Sequence, residues 1–404
     1  MNRLANAFVN DYIPGNLFEV GAKSMPMFGS VSDFTSLIMP RKSKLGATPA
    51  TRQSVTIRDV ARRAGVSTAT VSRALGNPER VTESTRSAVF RAIAEVGFTP
   101  NASARSLRAR STKMVLALLH GIGDSFYTAI LNAIESTLFE AGYGMIMGDT
   151  RADPGRERHY DQLVRSGQVD GVLLFSGRLP QDGFDALHPN VPIVLICIAI
   201  PELAGLPVVE VANRDAAYEM VEYLISLGHR RIAHITGPIK NVEAQERIRG
   251  FSDAAAAGGI ASGDQIVWEG AFSFDAGAAA ARRFLALPER PSAIFCASDQ
   301  LAIGFIKAVR DAGLSVPDDV SVAGFDDIEY ANLFAPALTT MRQPRAELGR
   351  RAAEYLVARM SGDGKGLAQR TRLPCTLVVR DSVRAYRTAV RERPLAIRAT
   401  IAGI

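Results

Sequence analysis

Residues 56–75 read TIRDVARRAGVSTATVSRAL, and their spacing is that of two short helices joined by a tight turn. Thr56 followed three residues on by Asp59 is a capping pair at a helix start. Ile57, Val60, Ala61 and Ala64 fall at i, i+3, i+4 and i+7, one apolar face. Gly65 ends that helix, and Ser67 caps a second whose inward positions are Val71, Ala74 and Leu75. Gly76-Asn77-Pro78 stops it. Thr82 then opens a third helix, with Val89, Ile93 and Val96 inside and Gly97 at its close. Three short helices with a glycine turn between the first two make a helix-turn-helix.

The second helix leaves Thr68, Ala69, Thr70, Ser72 and Arg73 facing outward. An arginine fork can donate two bonds to the O6 and N7 edge of guanine, and Ala69 or Thr68 can offer a methyl group to thymine in the major groove. Thr70, Ser72 and Asn77 suit phosphate oxygens, contacts that position without reading sequence. Thr56, Thr85 and Asn101 complete the expected DNA-facing set. The surrounding charge agrees: residues 41–113 carry 15 Lys/Arg against 4 Asp/Glu, a net of +11, while the whole chain is +6 and the remainder therefore −5. Concentrating positive charge in one short segment favours a polyanion, because phosphate neutralisation releases counterions.

Asn101–Arg108, NASARSLR, is too short for a stable isolated helix. Two readings stay open from its period: a flexible linker, or a helix that forms only on DNA. In the second, Ala104 and Leu107 share a face, and a pair of such helices across a dimer could wedge leucines into a minor groove.

Outward from this region, 404 residues with 47% hydrophobic and 22% charged content fit a globular chain of two or three domains. Residues 1–53 show no sustained period and are expected to be a disordered leader, with a natural start at Met39 as one reading. Residues 54–99 are the headpiece and 100–113 the hinge. From Met114 the pattern becomes apolar strands alternating with amphipathic helices, at Met114–Leu119, Gly144–Met147, Gly171–Phe175, Ile193–Ile198, Arg231–Ile235, Ala293–Cys296 and Ser321–Gly324 for the strands. That alternation implies doubly wound parallel sheets over residues 114–381. Residues 382–404 are expected to be a disordered tail. Cys197, Cys296 and Cys375 lie far apart in apolar stretches and read as buried thiols. The N-terminus lacks the charged, apolar and small-residue order of a secretory signal, so a cytoplasmic location is expected. No apolar run approaches the ~20 residues of a membrane span.

Other functions find little support. Gly121-Ile122-Gly123 follows a strand as a dinucleotide loop would, but Phe126 stands at the third glycine's place. The five histidines form no metal-ligand cluster, Gly362-Asp363-Gly364-Lys365 lacks phosphate-loop spacing, and no nucleophile, base and orienting group assemble. Neither an enzyme, a cofactor nor a metal is expected. A solute-binding protein of sugar or nucleoside uptake would share the two-lobed pattern, but it needs export and has no use for a helix-turn-helix.

Residues 55–108, VTIRDVARRAGVSTATVSRALGNPERVTESTRSAVFRAIAEVGFTPNASARSLR, closely resemble the headpiece and hinge of the lac-repressor/gal-repressor family of bacterial transcription factors. GHRRIAHITGP (228–238), ERIRGF (246–251), the run from Phe295 to Asp327 and PALTTMRQPRAELG (336–349) resemble it too. The STATVSRAL stretch and the hinge look most like the cytidine-repressor and purine-repressor branches. The resemblance implies an all-α headpiece followed by a two-lobed periplasmic-binding-protein type I domain. It implies Thr68, Ala69 and Arg73 at base-reading positions, Leu107 as a minor-groove wedge, and a homodimer or tetramer on a palindromic double-stranded operator.

In such a fold ligands bind beyond the carboxyl ends of the strands. Those ends carry Phe126, Tyr127, Asp149, Arg247, Phe272, Asp299 and Asp326, and the resemblance puts Phe126, Arg247, Phe272 and Asp299 at effector contacts. Carboxylates accept paired hydroxyl bonds, arginine donates a planar fork, and aromatics stack on a ring, so a sugar or nucleoside suits the set. Arg247 as a surface charge and Phe272 as core remain the plainer alternatives. Cys197 stands where several sugar-responsive members are acidic, and Asn241 where the purine-responsive branch has arginine.

Overall fold

A computed structural model describes residues 55–99, 111–151, 153–175, 191–198, 203, 205–364 and 368–386. The expected leader, most of the hinge with Asn101, Ala104 and Leu107, and the last part of the tail lie outside these residues. The chain divides into two compact units, one ending at Pro100 and one beginning at Asn101.

The first unit holds α1 (Ile57–Ala64), α2 (Thr68–Gly76) and α3 (Glu83–Val96). Thr56 donates from both its N–H and its hydroxyl to Asp59, at 3.0 and 2.7 Å, which closes the start of α1. Gly65 ends it at φ 66°, a left-handed conformation that glycine adopts without Cβ strain. Ser67 accepts from Thr70 N at the start of α2, and Thr82 accepts from Thr85 N at the start of α3. Val60, Ala61, Val71, Ala74, Val89 and Ala92 are buried together, with Ile57, Leu75, Ile93 and Val96 packed around them. This is the expected helix-turn-helix, with Ala92 as an added core member.

The second unit is built on two six-stranded sheets. The first runs in the order β11 (Arg370–Leu373), β5 (Val208–Val211), β4 (Ile193–Ile196), β3 (Gly171–Leu174), β1 (Met114–Leu119), β2 (Gly144–Asp149) and is parallel throughout. The second runs β12 (Thr376–Val378), β10 (Thr339–Arg342), β9 (Ser321–Asp326), β8 (Ala293–Cys296), β6 (Ile232–Thr236), β7 (Gln265–Glu269), with only β12 antiparallel. Central strands are buried on both faces, as parallel sheets covered by helices require. Alternate residues of β1 serve different cores: Val115, Ala117 and Leu119 pack with α4 (Phe126–Glu140) and α11 (Arg345–Met360), while Leu116 and Leu118 pack with Val164 of α5 (Pro154–Arg165). In the second sheet Ile294 and Cys296 face α8 (Phe274–Leu285) and α9 (Asp299–Asp311), whereas Ala293 and Phe295 face α6 (Asn213–Ser226) and α7 (Val242–Ala257).

The chain passes between the lobes three times, after β5, after β10 and after β11. These crossings gather Val211, Asn213, Gln343 and Cys375 at the hinge line. The described part of the domain also runs beyond the expected boundary at residue 381, to residue 386. Ser382 is fully buried, its hydroxyl donating to Val322 O at 2.6 Å and accepting from Thr339 N. Arg384 then pairs with Asp318, and Tyr386 N donates to Leu227 O. A tail disordered from Ser382 is therefore corrected: five more residues close the C-terminal lobe, through these bonds and through Val383, which is buried in its core. No helix among the described residues is long and apolar enough to cross a membrane.

Candidate functional site

Two surfaces carry the chemistry. On the helical unit, Thr68, Ala69 and Arg73 are exposed on α2, while Val71 and Ala74 of the same helix are buried. Ala69 and Arg73 stand four apart and so share a face. Asn77 is exposed and Thr70 and Ser72 are half-buried. Three of the expected DNA-facing hydroxyls already serve helix ends: Thr56 bonds Asp59, Thr70 bonds the Ser67 hydroxyl at 2.9 Å, and Thr85 bonds the Thr82 hydroxyl at 2.9 Å. A hydroxyl keeps a second lone pair or its proton for another partner, so this leaves them able to meet DNA.

The second surface is the cleft between the two lobes of the α/β unit, a cavity of about 100 Å³. Its walls bring together Phe126, Tyr127, Arg247, Phe272 and Asp326 from the expected set. Arg247 is buried in α7, its Nε donating to Asn213 Oδ1 at 2.9 Å and an Nη to Ala297 O. Its guanidinium lies 3.7 Å from the centre of the Phe325 ring, and Phe272 lies 5.8 Å away. Arg247 is thus neither a surface charge nor a free fork. Phe272 rests on Gly237, where a Cβ would come 2.1 Å from Phe272 Cζ, so only glycine leaves the ring its place. Phe126 and Tyr127 meet edge to face at 5.2 Å, and Tyr127 meets Phe175 likewise at 5.5 Å.

Two expected residues fall elsewhere. Asp299 is fully buried beneath the cleft, with Oδ1 accepting from the Thr340 hydroxyl at 2.6 Å and Oδ2 from Ile328 N at 2.9 Å. Both oxygens are spent inside the fold, and the cleft is lined instead by its neighbours Ser298 and Gln300. Asp149 is buried at the end of β2, where it accepts from the N–H and Nε of Arg151, away from the cleft walls. Strand-end position was the signal for Asp149, joined for Asp299 by the family resemblance, and strand-end position does not say which way a side chain turns.

Sequence reasoning missed Asp124, Asn213, Glu243, Gln300 and Gln343, all of which line the cleft. Asp124 Oδ1 accepts from Phe126 N and from Gln300 Nε2, both at 2.9 Å, bridging the lobes. Gln343 Nε2 donates to Asp326 Oδ1 at 2.7 Å. Arg345 makes a second bridge, donating to Asp327 O at 2.9 Å and, more weakly, to Ser125 O and Phe126 O at 3.4 Å. Burial pushes the Glu243 carboxyl up to about 7 and the Asp326 carboxyl up to about 7, in each case against the pull of Arg247. Asp124 is raised by the same cause. Cys197, at φ 65°, and Asp326, at φ 121°, hold left-handed conformations that ordinary side chains avoid, and both edge the cleft. Asn241, also in the wall, is the N-cap of α7, accepting from Ala244 N at 2.8 Å.

Residues 56–101 match the family described as bacterial regulatory proteins, lacI family, and residues 221–383 match the periplasmic binding protein-like domain. The HTH-type transcriptional repressor CytR of Escherichia coli (strain K12) is 38% identical over 332 residues, 82% of this chain and 97% of that protein. The HTH-type transcriptional repressor PurR of Haemophilus influenzae (strain PittEE) is 32% identical over 332 residues, 82% of this chain and 99% of that protein. Among solved structures, the lac repressor dimer bound to operator and the anti-inducer ONPF aligns with a TM-score of 0.74 at 28% identity, covering 82% of this chain and all of that one. The helix-turn-helix and the two-lobed cleft thus define a DNA-binding regulator with an effector domain. The chain belongs to the lacI family of bacterial regulatory proteins.

Proposed function

We propose that the protein is a cytoplasmic transcriptional repressor that binds a palindromic operator as a homodimer and answers to a small polyhydroxylated effector, a sugar or nucleoside. It acts by binding and not by catalysis. In this reading Thr68, Ala69 and Arg73 read base edges, while Thr56, Thr70, Ser72, Asn77 and Thr85 meet phosphates. Asn101, Ala104 and Leu107 form the minor-groove segment. Phe126, Tyr127, Arg247, Phe272 and Asp326 hold the effector, joined by Asp124, Asn213 and Glu243.

The observation that carries the reading is the cleft itself: aromatic faces and paired carboxyls converge at the hinge of two lobes. A ligand touching both lobes differs in affinity between open and closed forms, which is what coupling to DNA requires. A thermal-shift screen of sugars and nucleosides on the full chain tests this, because a ligand held only by the folded state raises apparent stability. A hit whose effect disappears in Phe272→Ala supports the cleft; a hit untouched by that change moves the site elsewhere.

A further inference from the structure

We propose that the cleft accepts an uncharged ligand rich in hydrogen-bond donors and with one flat face, and rejects the phosphorylated or carboxylated forms of the same compound. This rests on the reading of the cleft as the effector site.

The first ground is the charge of the walls. Asp124, Glu243 and Asp326 face the cavity, against Arg247 as the single cation lining it among the described residues. Arg247 is held by Asn213, by Ala297 O and against the Phe325 ring, so it is one fixed cation set against three carboxyls. Arg345, which is not among the wall residues, bonds backbone carbonyls and pairs with Glu329 at 3.6 Å. Asp326 lines the wall with one oxygen tied to Gln343.

The second ground is the helix ends. Helix N-termini at the mouth of an α/β sheet normally offer seats for phosphate. Here the protein fills them with its own side chains. Asp124 accepts the first free N–H of α4, and Glu243 sits in the first turn of α7. At α9 the Ser298 hydroxyl takes that place, accepting from Leu301 N at 3.3 Å. The seats a phosphate would use are taken.

The third ground is the way out. A ligand's phosphate could project from the cleft into the neighbouring hinge cavity of about 350 Å³, which shares Val211, Asn213 and Glu243 with it. That cavity offers no relief. Its three arginines face four carboxyls, and they are paired: Arg370 and Arg372 with Glu210, Arg214 with Asp253. Burying an anion against unpaired like charges costs heavily. The flat face follows from the aromatic walls, with Phe272 fixed against Gly237.

The protein would therefore sense a compound before phosphorylation, and a kinase reaction on that compound would remove the signal. Calorimetric titration of the full chain tests this with matched probes: ribose, glucose and the four ribonucleosides, each against its 5′- or 6-phosphate. The expected result is binding of at least one neutral probe, with its phosphate weaker by about 100-fold or more. Glu243→Gln and, separately, Asp124→Asn should narrow that gap by weakening the repulsion; the second variant covers the case in which the first fails to fold. A phosphorylated probe binding as tightly as its neutral partner overturns the proposal while leaving the cleft as the effector site. Failure of every probe in both sets overturns that reading of the cleft, and the proposal with it.

Discussion

Glu243 is a carboxyl that the sequence hides and the cleft exposes. It stands in the first turn of α7, where an acidic residue is unremarkable, and only the neighbouring lobe makes it a cleft wall. Burial raises it from an ordinary 4.5 to about 7, and raises Asp326 from 3.8 to about 7. An acid raised in the folded chain holds a proton that the unfolded chain has released. Its stabilising contribution is full below the ordinary carboxylate range and is lost as pH climbs through about 7. The ligand-free protein should thus lose thermal stability from these two groups as pH rises from about 4.5 to about 7, and level off above that. In Glu243→Gln the loss over that window should be smaller, as read by melting curves at matched ionic strength; an identical loss in both proteins would place the titration elsewhere. Arg247, Phe272 and Asp326 could be found from sequence because strand ends and family motifs mark them. Asp124, Asn213 and Gln300 could not, since each is a common residue at a helix start and gains meaning only from the lobe opposite.

At the scale of elements, the three headpiece helices were legible because caps, glycine stops and apolar spacing all agree over residues 56–97. The central strands were legible for a similar reason: burial on both faces leaves unbroken apolar runs. Five strands left no such trace. In β5 the buried Glu210 interrupts the run, held by Arg370 and Arg372 of β11. The outer strands β7, β11 and β12 are partly exposed and hold at most three apolar residues in a row, and β10 opens with two threonines. The same element-level view changes the role of Asp299. It pins the start of α9 to β10 through Thr340 and to the turn before α10 (Glu329–Leu333) through Ile328 N. Asp299→Ala should leave buried donors without partners and destabilise the chain by about 1–3 kcal/mol for each bond lost, measured by urea unfolding. A variant of unchanged stability with only its ligand response gone would return Asp299 to the effector site.

For the whole molecule, two bridges among the described residues span the cleft, one from Gln300 to Asp124 and one from Arg345, which donates to Asp327 O in one lobe and to Ser125 O and Phe126 O in the other. These hold the lobes in one relative arrangement without a ligand's help. Gln300→Ala removes a bond to a carboxylate and should favour a more open cleft, weakening ligand binding by about 10-fold or more. Titration with a ligand found by thermal shift reads this directly, and unchanged affinity would mean that the bridge does not set the closed form.

The central claim is that α2 reads DNA sequence for a symmetric dimer. Its most direct measurement is selection of bound fragments from a random duplex library by the purified full chain, repeated with Arg73→Ala. The expected result is an enriched inverted repeat for the wild type, with Arg73→Ala losing preference at one symmetric pair of positions at a cost of about 1–3 kcal/mol. Absence of any enriched repeat, or equal weakening by Arg73→Ala on every sequence, would contradict it.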